Sequence, residues 1–449
     1  MVSPMNRLTA DDDLFLKMHR IYGSVLVNQL AWRFDQPLDR AAVAVFHDHL
    51  AHGFGARRVV ESRIPFTRPW WAPAISATAP VWQDEPVPET KVLSWLTAQA
   101  DVSFDVADGR LWQLSGAPIE GGGTLLSLVA SHIVADGGAA IFAVQDALSR
   151  LHRRLPVSRE DSSGRLVGDT PASGVWRANL ADAGRQIRAI GTGIWKAYRT
   201  RHITEPARLP RPVEPRRALP DRYQPAGIVV TVPLAQWNSV AAERMGTANG
   251  LMLGTAVGIL GRCGRAHDGA GVRVDIPWSL RGRDDPRANA TTAVPINVPY
   301  HEGELADLAR IRAATKAAIR AYRDPANTPP LQHLQPLQMV IPDFVARRFV
   351  RTAKAPICLC SNLGEITQTV AVVAGMRARS VLLRPVIRSG DPEFFRATEI
   401  GLSMSWSSDG DLVTLAITGA DPDRFPTPEV LREYVEAEFG AWGLTPSFW

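Results

Sequence analysis

The segment 132–137 (HIVADG) combines the residue types that proton transfer needs at a fixed spacing. The imidazole of His132 titrates near neutral pH, so it suits a general base that takes a proton from a substrate and returns it. The alternative interpretation is an ordinary half-buried histidine followed by Asp136 as a helix cap. The hexapeptide alone leaves both interpretations open.

The strand and helix predicted on either side of this segment would hold the backbone of His132 in a fixed position. Residues 124–130 (TLLSLVA) form a short apolar run after three glycines, which is typical of a buried strand. From Gly137 onward, apolar residues recur at steps of three and four, which predicts a helix. These positions are Ile141, Val144, Leu148, Leu151 and Leu155. Asp136 and Gly137 supply the turn, so His132 is expected at the end of a strand, in a fixed position.

The segment resembles the HHxxxDG signature of the CoA-dependent acyltransferase superfamily, which includes condensation domains and chloramphenicol acetyltransferase. Further segments resemble, in the same order, motifs of its wax ester synthase/diacylglycerol acyltransferase group. They are 7–16 (RLTADDDLFL), 109–112 (GRLW), 247–250 (TANG), 277–282 (PWSLRG), 359–364 (LCSNLG) and 408–410 (SDG). The chain is therefore identified as a divergent member of the superfamily, closest to that group.

The resemblance implies a mixed α/β fold with two chloramphenicol-acetyltransferase-like subdomains, arranged as a V-shaped pseudo-dimer around a tunnel. Six prolines interrupt any regular element in 201–225, which indicates an extended crossing between two bodies. We therefore predict an N-terminal subdomain over 1–200 that carries the HxxxDG motif, a proline-rich linker over 201–225 and a C-terminal subdomain over 226–449.

The resemblance also implies roles for the motif residues. His132 matches the second histidine, which acts as the base in this superfamily. Asp136 matches an aspartate that is structural and pairs with an arginine, here Arg281, and Gly137 would allow close approach of the backbone. Asp136 is therefore expected to support the site without reaching the reacting atom.

Three further polar residues are expected to bind substrate. Ser361 and Asn362 match the SN strand of the second half, where they would donate hydrogen bonds to the acyl carbonyl or the acceptor. A polar pair that merely ends a strand is the alternative. Ser131 stands where the family has its first histidine, a departure that leaves the base in place.

Composition limits the classes of function. With 45% hydrophobic and 21% charged residues, the chain has ordinary globular composition, and no apolar stretch is long enough to span a bilayer. Three cysteines give neither a disulfide framework nor zinc-ligand spacing, so we expect no metal, reduced thiols and a cytoplasmic protein. The net charge of +5 has no nucleic-acid-binding motif beside it.

Much of the positive charge falls between Arg177 and Arg222, beside a helical apolar stripe. The stripe consists of Leu180, Ala183, Ile187, Ile190 and Ile194. A surface helix packed on the protein's own core is the favoured interpretation. An anionic membrane surface and the phosphates of a CoA or carrier arm remain alternatives.

Together these features predict an acyltransferase that moves an acyl group from a thioester to an alcohol or amine, with His132 as general base. Acyl-CoA or a phosphopantetheine arm on an acyl carrier protein would be the donor substrate, and no further cofactor is expected. The expected partners are a small-molecule acceptor and this donor, with peripheral membrane contact as an option and a monomeric state. The alternative is a catalytically inactive, condensation-like docking protein.

Overall fold

A computed structural model describes residues 6–23, 26–154, 175–203, 218, 220–282, 285, 287–350, 356–366 and 370–449. The strands are β1 (Leu26–Phe34), β2 (Arg57–Val60), β3 (Trp70–Pro73), β4 (Val81–Trp82), β5 (Trp112–Pro118), β6 (Thr124–Ser131), β7 (Ala226–Pro233), β8 (Gly271–Ser279), β9 (Thr291–Pro299), β10 (Cys358–Glu365), β11 (Val372–Val373), β12 (Met376–Arg377), β13 (Ser380–Ile387), β14 (Leu402–Ser408), β15 (Leu412–Gly419) and β16 (Ser447–Phe448).

Helices connect these strands. They are α1 (Ala10–Tyr22), α2 (Arg40–Ala51), α3 (Val92–Gln99), α4 (Gly137–His152), α5 (Val175–Arg199), α6 (Leu234–Glu243), α7 (Ala248–Arg262), α8 (Leu308–Arg323), α9 (Pro330–His333), α10 (Gln335–Val340), α11 (Asp343–Val350), α12 (Pro392–Thr398) and α13 (Pro428–Ala441). None of the helices in the described ranges is both long and apolar enough to cross a membrane.

Two larger sheets organise the chain. The first has the order β13-β1-β6-β5-β4, and the second has the order β16-β7-β15-β14-β10-β8-β9. Small two-stranded sheets pair β2 with β3 and β11 with β12. The predicted strand at 124–130 is β6 and the predicted helix that follows is α4. Leu155, the last position of the predicted helical face, lies outside the described residues.

The first sheet buries β6 on both faces, which explains why most of its residues are apolar. Every residue from Thr124 to Ser131 is buried. On one face, Trp32 and Leu128 pack in a core that includes Phe46 of α2 and Val144 of α4. Strand β6 also pairs with β1 along one edge and with β5 along the other, so its end holds His132 in place.

The second sheet packs against α7 and α13. In α7 the run from Gly250 to Val257 is buried without a break, which matches a helix that is apolar all round and enclosed by the core. Leu431, Val435 and Phe439 of α13 join the same core. This half therefore has its own hydrophobic interior.

Two segments from the second half of the chain pack in the first half. Strand β13 comes late in the chain, yet it pairs antiparallel with β1 over eight residues, from Leu26 opposite Ile387 to Arg33 opposite Ser380. The segment between β8 and β9 also returns to the first half, where the backbone N–H of Asp136 donates to the carbonyl of Ala288 at 3.0 Å. The first sheet therefore needs both halves of the chain. Residues 204–217 and 219 of the predicted linker lie outside the described residues.

Helix α5 is present, but most of its apolar stripe does not pack on the core as the favoured interpretation expected, Ala183 being the buried member. Leu180, Ile187 and Ile194 are each about half exposed. The opposite, polar face points inward, because buried Asp182 accepts hydrogen bonds from Arg68, at 2.7 Å to Nη2. Gln186 is likewise buried and donates to the carbonyl of Pro336 at 3.0 Å. These polar contacts fix the rotation of the helix, so its apolar face is directed outward.

Candidate active site

The turn from β6 to α4 places His132 immediately after the last strand residue. Asp136 caps α4, since its Oδ1 accepts a hydrogen bond from the backbone N–H of Ala139 at 2.7 Å. Asn28 of the neighbouring strand β1 donates to the carbonyl of Ala135 at 2.8 Å. The turn is therefore tied both to the helix and to the sheet, and His132 has a rigid backbone.

The side chain of Asn289 holds the ring of His132. Oδ1 of Asn289 lies 3.0 Å from Nδ1 of His132, while Nδ2 of Asn289 lies 3.0 Å from the backbone oxygen of His132 and 3.3 Å from that of Ile133. Because Nδ2 faces acceptors only, the amide orientation is fixed by the network. Oδ1 must then accept, so Nδ1 of His132 carries the proton and Nε2 keeps its lone pair.

Asp12 in turn holds Asn289. Its Oδ1 accepts hydrogen bonds from the backbone N–H of Asn289 at 3.0 Å and from Nδ2 of Asn289 at 2.9 Å. Its Oδ2 accepts from the backbone N–H of Thr9 in the capping box of α1. Burial raises the pKa of Asp12, and these donors oppose that rise. Asp12, Asn289 and His132 thus form a chain of hydrogen bonds, which is the arrangement that orients a base.

The surroundings favour the neutral form of His132. Burial lowers the pKa of His132 from its usual value of 6.5, and the negative charge of Asp136 opposes this effect. Phe15 of α1 stacks on the imidazole, with ring centroids 3.9 Å apart and 25° between the planes. A neutral imidazole with a free Nε2 lone pair can accept a proton at neutral pH.

The space beside His132 is small. A cavity of about 10 Å³ is lined by Phe15, Leu26, Ser131 and His132, among others. This is at most room for a single water molecule. A substrate carbonyl needs more room than this cavity offers.

Asp136 forms the expected pair with Arg281. Nη2 of Arg281 lies 2.9 Å from Oδ1 of Asp136, and both side chains are largely buried. Oδ2 of Asp136 accepts from the backbone N–H of Ala290 at 2.8 Å and from the hydroxyl of Thr291 at 2.9 Å. Since both oxygens are fully engaged, Asp136 fastens the two halves together rather than facing a substrate.

A second arginine lies behind the same turn. Arg57 is completely buried, and its Nη2 donates to the carbonyl of Val134 at 3.0 Å. Its guanidinium lies over the rings of Phe54 and Trp71, at 4.2 and 4.6 Å from their centroids. Burial lowers the pKa of Arg57 to about 10. This cation stabilises the turn from the core side.

The remaining motif residues lie around the turn without touching the imidazole. Gly137 faces Leu363 of β10 closely: a Cβ atom at position 137 would be 3.3 Å from Cδ2 of Leu363. Ser131 is buried, and its Oγ accepts from the N–H of Ile133 at 3.3 Å. Asn362 is exposed and Ser361 is partly buried. Oδ1 of Asn362 accepts from the N–H of Gly364 at 2.8 Å, which leaves its amide donors unengaged within the described residues.

Three residues of the site were not identified from the sequence: Asp12, Phe15 and Asn289. Asp12 belongs to the segment 7–16, whose resemblance gave it no role at the site, and it also takes part in the capping box of α1. Asn289 lies eight residues after Arg281 in the same segment, but no motif marks it. A set of three or more His, Cys, Asp or Glu side chains arranged for a metal ion was not found among the described residues.

Solved structures share this fold over almost the full chain. The first condensation domain of the calcium-dependent antibiotic synthetase, in complex with a substrate analogue, has a TM-score of 0.63 at 14% identity and covers 98% of this chain and 97% of its own. The starter condensation domain of rhizomide synthetase, in complex with C8-CoA, has a TM-score of 0.58 at 14% identity, covering 98% and 94%. The X-domain from teicoplanin biosynthesis has a TM-score of 0.54 at 15% identity, covering 99% and 96%.

No family model and no curated protein matches the sequence. The predicted mixed α/β fold with two subdomains is confirmed, and it is the fold of these condensation domains. The closer likeness to the wax ester synthase/diacylglycerol acyltransferase group stays a prediction from the motifs.

Proposed function

We propose that this protein is an acyltransferase that moves an acyl group from a thioester to an alcohol or amine, with His132 as general base. The observation that carries the proposal is the bond between Nδ1 of His132 and Oδ1 of Asn289. This bond leaves Nε2 as a proton acceptor, and the lowered pKa of the imidazole keeps it unprotonated at neutral pH.

The chemistry needs few protein groups because a thioester carbonyl is already activated. Nε2 of His132 takes the proton of the acceptor O–H or N–H as that atom forms a bond to the carbonyl carbon. The tetrahedral oxyanion then collapses, the C–S bond breaks, and His132 returns the proton to the departing thiolate. The products are an ester or amide and a free thiol, so the reaction consumes no oxidant or metal.

We assign Ser361 and Asn362 to substrate binding as donors toward the acyl carbonyl or the acceptor. The unengaged amide donors of Asn362 support this role, because a developing oxyanion needs preorganised N–H or O–H groups. We also keep Ser131 in the substrate-binding set, since it lines the small cavity beside His132. Asp136, Gly137 and Arg281 have structural roles in the proposal.

The donor thioester is carried either on CoA or on the phosphopantetheine arm of an acyl carrier protein. The solved structure of a rhizomide synthetase domain with C8-CoA supports a CoA donor by analogy of fold. The experiment measures release of free thiol, with intact-mass analysis of products, from acyl-CoAs of several lengths and from a loaded carrier protein. A mixed panel of alcohols and amines serves as acceptors.

His132→Ala is the test variant, and His301→Ala is its matched control because His301 is exposed. We expect acceptor-dependent thiol release in the parent and control proteins and at least a 100-fold loss in His132→Ala. Full turnover of His132→Ala would contradict the proposal.

The second candidate is a catalytically inactive docking protein. The observation that favours it is buried Ser131 in the position where the family has its first histidine. Absence of thiol release from every CoA and carrier-bound donor, with binding of a carrier protein retained, would favour this candidate.

We further propose that α5 contacts an anionic membrane surface. Its exposed apolar side chains include Trp176, Ile187 and Trp195, and the guanidinium groups of Arg177 and Arg199 lie over the two tryptophan rings. Apolar and aromatic side chains next to arginines suit the boundary between acyl chains and anionic headgroups.

Co-sedimentation with vesicles tests this contact. Binding is expected to vesicles with a quarter of phosphatidylglycerol and not to pure phosphatidylcholine, and Ile187→Ser should weaken it. The control Met245→Ser, on another exposed apolar side chain, should bind like the parent. Equal sedimentation of Ile187→Ser and the parent would rule this surface out.

A further inference from the structure

A large cavity lies between the two main sheets, away from His132. Its volume is about 840 Å³, and it is lined by α3, β13, β7 and the C-terminal residues, with His132 absent from the lining. This volume lies in the range of small-molecule binding sites. The lining includes apolar side chains such as Leu93, Ile228, Val386 and Trp449.

A buried guanidinium faces this cavity. Arg384 of β13 is only 4% exposed. Its Nε donates to Oε1 of Gln29 at 2.8 Å, and its Nη2 donates to Oγ1 of Thr97 at 3.2 Å. Both partners are neutral, and the Gln29 amide is used up by its bonds to Leu96 and Ser127. Burial lowers the pKa of Arg384 to about 10, so the side chain is still charged at neutral pH.

No carboxylate within the described residues pairs with Arg384. Two acids line the cavity, and both are engaged elsewhere. Asp101 pairs with Arg388, and exposed Glu429 is hydrogen-bonded to the side chain of Thr427. Nη1 of Arg384 makes no hydrogen bond to any described residue, and it lies 3.8 Å from where a Cβ atom of Gly227 would be. Buried charges are ordinarily paired with an opposite charge. Arg384 is therefore a candidate group for binding an anion.

We propose that this cavity binds an amphipathic organic anion, whose carboxylate or phosphate accepts hydrogen bonds from Arg384 while its apolar part lies among the apolar lining residues. Arg222 adds positive charge to the lining, because among the described residues its guanidinium donates to neutral Ser389 alone, at 3.0 Å to both the carbonyl and the hydroxyl oxygen. The absence of Cβ at Gly227 leaves Nη1 of Arg384 accessible. This site is independent of the proposed acyl transfer, so His132→Ala should keep it.

Isothermal titration calorimetry with four probes tests the proposal: octanoate, octyl phosphate, octanol and inorganic phosphate. We expect binding of octanoate, octyl phosphate or both, and at least 10-fold weaker binding of octanol, because a hydrogen bond between charged groups is worth that factor or more. The stronger of the two anions identifies whether the ligand is a carboxylate or a phosphate. Equal affinity for octanol, or binding of inorganic phosphate as tight as that of octyl phosphate, would overturn the proposal.

Two variants locate the binding. Arg384→Met removes the charge, and Gly227→Leu keeps the charge but places a side chain in front of Nη1. Each should weaken anion binding at least 10-fold, and Gly227→Leu remains informative if Arg384→Met does not fold. The control Arg320→Met removes an exposed arginine of α8 and should bind like the parent protein. Unchanged binding in a folded Gly227→Leu variant would show that the anion lies elsewhere.

Discussion

Oδ1 of Asn289 lies 3.0 Å from Nδ1 of His132, although 157 residues separate the two in the chain. This contact joins a residue that follows β6 to a residue that precedes β9, and thus one half of the molecule to the other. The amide nitrogen of Asn289 already donates to Asp12 and to a backbone oxygen. Oδ1 therefore accepts from Nδ1 of His132, and Nε2 is the imidazole nitrogen that keeps its lone pair.

Asn289→Ala should therefore lower kcat/KM by about 10- to 100-fold, a part of the 10²–10⁴ that general-base catalysis contributes. The imidazole of this variant loses the acceptor that fixes its tautomer and its ring orientation. The measurement is initial rate against substrate concentration, together with the ¹⁵N shifts of His132, which report the tautomer. Asn327→Ala, on an exposed asparagine, is the control; an unchanged tautomer in Asn289→Ala would refute the assignment.

The pH dependence of catalysis should show the lowered pKa of His132. Burial places this pKa below 6.5, so kcat/KM should stay constant at neutral pH and fall with a midpoint below 6.5. The folded protein takes up this proton less readily than the unfolded chain does. Protonation of His132 therefore lowers the free energy of unfolding as the pH falls below 6.5. A midpoint above 6.5 in the pH profile would contradict this prediction.

Phe15→Ala should raise the pKa of His132 toward 6.5. The stacked ring, with its centroid 3.9 Å from that of the imidazole, excludes water from one face, and burial is the main cause of the lowered pKa. The measurement is an NMR titration of His132 in the parent and in the variant. Phe344→Ala, at a highly exposed phenylalanine, should leave the titration unchanged, and a further decrease in Phe15→Ala would count against this role of the ring.

Asp136→Ala should destabilise the fold by about 3–5 kcal/mol, the usual cost of removing one partner from a buried ion pair. The variant removes the carboxylate that pairs with Arg281 and leaves the N–H groups of Ala139 and Ala290 without their acceptor. Urea denaturation measures the change. Glu436→Ala, which breaks the exposed pair with Arg432, should cost less than about 1 kcal/mol. A stable but inactive Asp136→Ala protein would instead indicate a direct catalytic role.

The strand, turn and helix around His132 could be predicted because their causes are local. An apolar run of strand length and a turn with an aspartate cap are each encoded within a few residues, and β6 and α4 follow them closely. The resemblance added the pairing of Asp136 with Arg281, which the structure contains. The assignments of Ser361 and Asn362 stay predictions, because no contact within the described residues joins them to the imidazole.

Other features depend on contacts between residues far apart in sequence. The rotation of α5 was predicted wrongly, because helical periodicity shows which residues share a face but not which face is buried. The hydrogen bonds from Arg68 to buried Asp182 decided that, because they hold the polar face of α5 against the protein. The placement of β13 beside β1 likewise depends on residues far apart in sequence, since Leu26 pairs with Ile387.

The sequence by itself determined the strand–turn–helix unit that carries His132 and the apolar character of both cores, since these follow from the order of neighbouring residues. Only the tertiary structure decided which side chains meet the imidazole. Asp12, Phe15 and Asn289 reach His132 from a helix before β1 and a segment after β8, because the packing of the two halves brings these backbones together. It also left Arg384 buried without a carboxylate in the described part of the chain, since β13 carries it between the sheets.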